Sequence, residues 1–292
     1  MKNSKIFALA TFVALLFGAL PINAQTQRVG SLIESGKTPS TSIGKSVSEK
    51  FSGVSSKFAD RMKQRKASAD GTQGTPPPCI DRTVINLNND GEGSLRWAIL
   101  NAGNTCTVTI AVKGTVFLTE SIEIGEKALK IVLDETIFTA PGEDSDFSSD
   151  EFIVDGSGIT DSSYGSVFDL VLASVEMTGF TITGGKGRGG KGTFGGGIYL
   201  EDSLLFMNYM TVRGNSADFG GGISVNYSTL FLNLSTVSGN TANQDGGGIY
   251  FEDFVEGLNF VNGFEDLIVS TSTIADNTAT RGGWNLCNGH NP

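Results

Sequence analysis

The chain has 292 residues, a formal net charge of −10 and 39% hydrophobic residues, a length that accommodates one or two domains. The charge is uneven: residues 25–75 hold nine Lys or Arg against four Asp or Glu, whereas residues 76–292 hold ten against 27. The acidic body excludes nucleic acid as a partner, because phosphates need a basic face, but it suits solubility and the attraction of divalent cations.

The first 24 residues read as a secretory signal peptide. "MKNSK" is a basic start, "IFALATFVALLFGAL" is an apolar run too short for a comfortable span, and "INA" precedes Gln25 as a small-residue cleavage site. An uncleaved membrane anchor is the alternative, and the flanks favour cleavage. No other stretch is apolar enough to cross a bilayer, so the expected location is secreted, extracellular or in the cell envelope.

Residues 25–78 are expected to be a disordered basic spacer rich in Ser, Lys, Gly and Pro. Within it Val47, Phe51, Val54, Phe58 and Met62 recur every three or four residues. That period fits a short amphipathic basic helix of membrane-surface type, although Gly53 and the serines weaken it. "GTQGTPPPC" closes the region with a stiff proline run, taken as the domain boundary.

A single domain is expected over residues 79–292. "RTVINLNNDGEGSLRWAILNAGNTCTVTIAV" reads as strand, turn, short helix, turn, strand. Ser94 caps a predicted helix over Leu95 to Ala102, with Leu95, Ala98 and Ile99 on one face. "VTIAV", "TVFLT", "SIEI" and "KIVL" follow as short strands. Export permits disulfides, and Cys79 and Cys106 flank this segment, which favours their pairing. Cys287 is then left over; three buried thiols are the alternative.

From about residue 150 the chain repeats. "VEMTGFTITGG" (175–185), "LFMNYMTVRGN" (205–215), "LFLNLSTVSGN" (230–240) and "LIVSTSTIADN" (267–277) align, at offsets of 30, 25 and 37 residues. "GGGIYLED", "GGGISVNY", "GGGIYFED" and then "RGGWNL" lie between and after them. A repeat of about 25 residues cannot bury its own core and must stack on its neighbours. The alternation in "LFLNL" and "GIYLE" is that of strands, so the stack is an all-β parallel β-helix. Four inward columns follow: Val175, Leu205, Leu230, Leu267; Met177, Met207, Leu232, Val269; Ile182, Val212, Val237, Ile274; and Ile198, Ile223, Ile249, Trp284. Asn215, Asn240 and Asn277, with Gly185 in the first coil, are expected to stack at one turn in the left-handed conformation. The glycine triplets are structural corners; a phosphate-cradling role is disfavoured because no "GKS" or "GKT" follows them.

"TVINLNNDGEGSLRWAILNA", "IVDGSG", "MTGFTITGG", "GGGIYLEDSLLFMNYMTVRGNSADFGGGI" and "STVSGNTANQDGGGI" resemble the start and coils of secreted right-handed parallel β-helix proteins. The pattern resembles the pectin-lyase-like superfold, and within it the polymorphic-outer-membrane-protein and adhesin-like repeats that pair "GGGI" with "S.V.GN.A". The resemblance covers roughly residues 79–286. It implies a right-handed solenoid and a secreted or surface adhesion and scaffold module; the Leu95 helix is expected to cap its N-terminal end, since an uncovered edge invites aggregation. Residues 25–75 have no counterpart in it. The chain ends at "CNGHNP" soon after a coil, so the domain is expected to be truncated at its C-terminus.

The chemistry is sparse. A calcium-dependent lyase needs grouped carboxylates beside a Lys or Arg base, and a glycoside hydrolase needs two carboxylates across the scissile bond. Glu201 and Asp202 recur as Glu252 and Asp253, but Asn226 and Tyr227 interrupt that column; Asp218 and Asp245 precede two glycine triplets. Only Arg213 and Arg281 are basic from residue 192 onward, and His290 sits in the tail. Asp144, Asp146, Asp150 and Glu151 form an acidic loop that departs from an EF-hand and reads as solvated rather than as a Ca²⁺ site. Asn226, Asn233 and Asn104 head glycosylation sequons, Asn233 within a strand. "GGKGRGGKGTF" (184–194) is a basic, flexible protrusion, either a contact for an acidic glycan or a tolerated loop.

No catalytic, cofactor-binding or metal-binding residue is assigned. The expected function is non-enzymatic, with extracellular glycans or surface proteins as partners. A polysaccharide lyase or glycoside hydrolase is the alternative, favoured by any carboxylate cluster with a basic neighbour on one face. End-to-end self-association is the third reading, favoured by a bare apolar last coil.

Overall fold

The computed structural model describes residues 27–28, 79–138, 148–160, 165–188, 192–252, 266–283 and 286–288. Strands dominate, and four sheets wrap one core. Sheet A has eight strands, in the order Gln27–Arg28, Asp266–Ser270, Thr229–Asn233, Leu204–Asn208, Ser174–Thr178, Ala128–Leu133, Cys106–Ile110 and Arg82–Val84. Sheet B has six, from Thr273–Ala275 to Gly114–Phe117, and sheet C six, from Leu286–Asn288 to Ile122–Gly125. Sheet D is the short stack Ser216–Phe219, Thr241–Asp245 and Thr278–Ala279. Every strand pairing is parallel except that of Gln27–Arg28, which runs antiparallel along Asp266–Ser270. One coil thus visits sheets C, A, B and D in turn, as in Ile198–Glu201, Leu204–Asn208, Thr211–Arg213 and Ser216–Phe219. The architecture is a parallel β-helix.

The register places equivalent repeat residues side by side. Val175, Leu205, Leu230 and Leu267 pair in sequence, as do Met177, Met207, Leu232 and Val269. Ile182, Val212, Val237 and Ile274 form the third column. Most of these side chains are excluded from water, and each contributes about 1.5–3 kcal/mol against the cost of ordering it. The fourth column departs from expectation at its end: Ile249 pairs with Leu286, not Trp284. Trp284 lies outside the described residues.

The asparagine stack forms, but its backbone differs from expectation. Gly214, Gly239 and Asp276, each one residue earlier, take the left-handed conformation at φ 64°, 62° and 55°. The asparagines instead supply a ladder. Asn215 Oδ1 accepts from Gly185 N–H, Asn240 Oδ1 from Asn215 N–H, and Asn277 Oδ1 from Asn240 N–H, each at 3.0 Å. The glycine triplets divide their labour. Gly220 and Gly246 sit at φ 63° and 67°, whereas a Cβ on Gly221 would strike the carbonyl oxygens of Thr241 and Gly247 in the next coil.

Helix α1 spans Leu95–Asn101, and Ser94 Oγ accepts from Trp97 N–H at 3.2 Å. Leu95, Ala98 and Ile99 join the core, and the helix packs against Arg82–Val84, Cys106–Ile110 and Ile122–Gly125 at the first coil. Lys127 Nζ donates to the carbonyls of Ile99, Leu100 and Ala102, closing its C-terminal end. Ser94→Ala is expected to cost about 1 kcal/mol in urea unfolding, the usual loss of an N-cap. Cys79 and Cys106 are bridged, with Cα atoms 5.3 Å apart. Apart from Gln27–Arg28, the spacer lies outside the described residues.

Candidate functional site

The outer face of sheet C carries the densest chemistry. Strand alternation turns Ile198, Leu200, Ile223 and Val225 inward, which leaves their neighbours facing out. Glu123, Asp169, Tyr199, Ser224 and Tyr250 then form one outward column, at a strand spacing of about 4.8 Å. Val171, Glu201 and Asn226 form the second. Tyr199 Oη donates to Glu201 Oε2 and accepts from Asn226 Nδ2, both at 3.4 Å.

The described flanks of the glycine-rich loop, residues 184–188 and 192–194, are bonded to the coil. Lys186 Nζ donates to the carbonyls of Ser157 and Ile159, and Arg188 exchanges two backbone hydrogen bonds of 2.7 Å with Phe194. These bonds hold the two flanks of the loop in place. Arg188 Nη1 then lies 3.1 Å from Asp169 Oδ1, and its guanidinium stands over the Tyr199 ring at 5.0 Å. Residues 189–191 at the tip lie outside the described residues.

Asp169 is 1% exposed. Burial pushes its carboxyl up to about 6; Arg188 opposes the rise, and the negative charges of Glu123 and Glu201 add to it. Its Oδ2 has no hydrogen-bond partner, nor does the Oγ of the fully buried Ser224. Buried polar atoms are normally satisfied, and with Asn226 Oδ1 three such atoms lie on this face, where ordered water would complete them.

An aromatic cluster borders this column. The rings of Phe194 and Phe219 stack at 5.1 Å, and Tyr250 tilts against Phe219 at 5.1 Å. Arg281 stands 5.8 Å from the Phe219 ring and pairs with Asp245 at 2.6 Å. All three rings are part-exposed.

Other predicted residues are spread elsewhere. Asp202 and Tyr227 occupy left-handed turns between sheets C and A rather than a carboxylate column. Asp150 pairs with Arg213 at 2.9 Å and Glu151 with Lys113 at 2.6 Å, so these two acids tie coils together. Asp218 accepts from Thr193 N–H and from Asn243 Nδ2. Asn233 is buried on sheet A and donates to Asn208 Oδ1 at 2.6 Å. Asp144, Asp146, Asp253 and His290 lie outside the described residues. Cys79, Asp81 and Cys106 cluster, but both sulfurs are taken by the disulfide.

Asp169, Glu123, Arg188, Ser224 and the aromatic cluster were not singled out from the sequence. A signal existed: Tyr199, Ser224 and Tyr250 each follow the isoleucine of a "GGGI" run. No helix among the described residues is long and apolar enough to cross a membrane. Comparison of the chain with family models, with curated proteins and with solved structures found no match in any of the three.

Proposed function

We propose that the outer face of sheet C binds a glycan, in a secreted or cell-surface protein that serves as an adhesion or scaffold module. The observation that carries this reading is the part-exposed Phe194–Phe219–Tyr250 cluster beside a ladder of carboxylate, hydroxyl and amide groups. A sugar ring presents C–H faces that lie on aromatic rings and hydroxyls that bond to such a ladder. Glu123, Asp169 and Glu201 favour a neutral or basic glycan over a uronate, since like charges repel. The repeat motifs support the adhesion reading through their resemblance to polymorphic-outer-membrane-protein and adhesin-like coils.

One observation favours cleavage as a second reading. Asp169, raised to about 6 beside Arg188 and near Glu201, is the carboxylate cluster with a basic neighbour that a lyase or hydrolase requires. Against it, Asp169 is nearly inaccessible beneath Arg188. Self-association through sheet A is disfavoured, because Gln27–Arg28 already pairs with the edge strand of the last coil.

The test is a glycan array on the chain from Gln25 onward, with the same samples assayed for reducing ends and unsaturated uronates. The expected result is binding to neutral or amino glycans without product, weakened about tenfold by Phe219→Ala as one stacking contact is lost. Product release that Asp169→Asn abolishes would establish the second reading. Binding to no glycan at all would reject both.

A further inference from the structure

The first coil holds a constellation that the sheet C face does not use. Cys79, Asp81 and Cys106 each bring one ligand atom, two sulfurs and a carboxylate oxygen, within 4.8 Å of one another. Cys79 and Asp81 lie just ahead of the strand Arg82–Val84, and Cys106 opens the strand that pairs with it. Hydrogen bonds fix the frame on both sides. Asp81 Oδ1 accepts from Thr107 N–H at 2.7 Å. Asn104 Oδ1 accepts from Ala128 N–H, and Thr105 N–H donates to Ala128 O, each at 2.7 Å. Cys79 and Asp81 are exposed, so a reductant and an ion can reach the buried Cys106 sulfur from their side.

The oxygens around the sulfurs suit more than a bridge. Cys79 Sγ lies 3.5 Å from Asp81 Oδ1 and 3.7 Å from Thr105 O, and Cys106 Sγ lies 3.5 Å from Asn104 O. A bridged sulfur has no hydrogen to offer these acceptors. Two thiols would supply one each, and a cation between two thiolates would attract the carboxylate directly.

We propose that Cys79, Asp81 and Cys106 form a redox-gated Zn²⁺ site. The closed bridge shuts it. A dithiol opens it: two electrons and two protons pass to the bridge, giving two thiols, and the dithiol closes to its own disulfide. Zn²⁺ then displaces both thiol protons and is held by two thiolates and the Asp81 carboxylate, with water in the fourth position. Two thiolates select zinc over the hard cations Ca²⁺ and Mg²⁺. Zn–S bonds of about 2.3 Å place tetrahedral sulfurs about 3.7 Å apart, within the reach of Cα atoms 5.3 Å apart. The Thr107 N–H bond orients the Asp81 ligand from outside the site. Metal and bridge thus do the same work in different surroundings. Each ties residue 79 to the strand Cys106–Ile110, the metal where thiols prevail and the bridge where they do not.

Co²⁺ is the probe, because tetrahedral thiolate coordination gives it strong visible bands and a near-ultraviolet charge-transfer band. The chain from Gln25 onward is reduced with a phosphine under argon, titrated with Co²⁺ and then with Zn²⁺. The expected result is one equivalent of thiolate-bound Co²⁺ that Zn²⁺ displaces, with circular dichroism of the β-body unchanged. The bands are expected to be absent from the oxidised chain, lost in Cys79→Ser and in Cys106→Ser, and retained in Cys287→Ser. Asp81→Asn keeps both sulfurs and is expected to weaken binding by at least about tenfold. Absence of the bands from the reduced parent, or bands of equal strength in Cys79→Ser, would overturn the proposal. So would unchanged affinity in Asp81→Asn, a bridge that resists the phosphine while the chain is folded, or metal binding that begins only once the β signal is lost.

Discussion

Asn240→Ala is expected to lower the unfolding free energy by about 3–5 kcal/mol, far more than its modest size implies. The side chain is fully buried and makes four hydrogen bonds. Its Oδ1 accepts from Asn215 N–H and from Asn215 Nδ2, both at 3.0 Å. Its Nδ2 donates to Val212 O at 3.0 Å and to Asn277 Oδ1 at 2.9 Å. Alanine leaves the Asn215 N–H without its acceptor and takes a donor from the Val212 carbonyl in a dry turn, and such losses cost about 1–3 kcal/mol each. The damage also spreads, because Asn240 links the coils on either side and a solenoid holds together through such neighbour terms. Asn243→Ala is the control: that exposed residue makes one bond, to Asp218 Oδ1 at 3.1 Å, and its loss is expected to cost under about 0.5 kcal/mol. Urea unfolding of both variants decides. A loss below about 1 kcal/mol for Asn240→Ala would mean that water replaces the amide and that the ladder is not what holds the turn.

The repeat made the interior legible because a buried column admits few residue types. Val175, Leu205, Leu230 and Leu267 align in sequence for the same reason that they pair in space. The alignment could not say which backbone takes the strained angle. Gly214 and Asn215 share one corner, and only the coordinates assign the positive φ to the glycine. The turn serines were overlooked for a related reason. Ser203 accepts from Ala173 N–H, and Ser235 from Met210 N–H, in turns that read simply as loop. Trp284 was misplaced because "RGGWNL" lacks the full triplet that sets the register of the other coils.

The outward faces were harder, since alternation says that a side chain leaves the core and not what lies over it. Phe206, Glu176 and Asp169 all read as outward positions, and all are buried. Arg188 entered as part of a basic loop, and its partner Asp169 is 19 residues away on a different strand. Only the fold of that loop brings the two together, so the site lay in a long-range contact that no local pattern encodes.

Asp169→Asn is expected to stabilise the protein by about 3 kcal/mol at pH 8 while weakening whatever sheet C does. The carboxyl is raised from its ordinary value of 3.8 to about 6, first by burial and then by Glu123 and Glu201, against the attraction of Arg188. The folded state therefore holds the proton more tightly than the unfolded chain. The resulting stability is fully present below about pH 4 and is lost as pH rises through about 6. Two units correspond to about 3 kcal/mol, the cost of ionising Asp169 in place at neutral pH. Asparagine has the same shape and nothing to ionise, and its Oδ1 can still accept from Arg188, so the cost disappears. The difference between the variant and its parent should thus grow from near zero at pH 4 to its plateau by pH 7, in urea midpoints read at each pH. A flat difference would mean that Arg188 already compensates the buried charge in full. If the gain appears and glycan binding or cleavage falls together with it, Asp169 is a destabilising charge held in place for its chemistry, and the face it occupies is the functional one. If the gain appears and binding is untouched, the glycan is held by Phe194, Phe219 and Tyr250, and Asp169 only anchors the loop through Arg188.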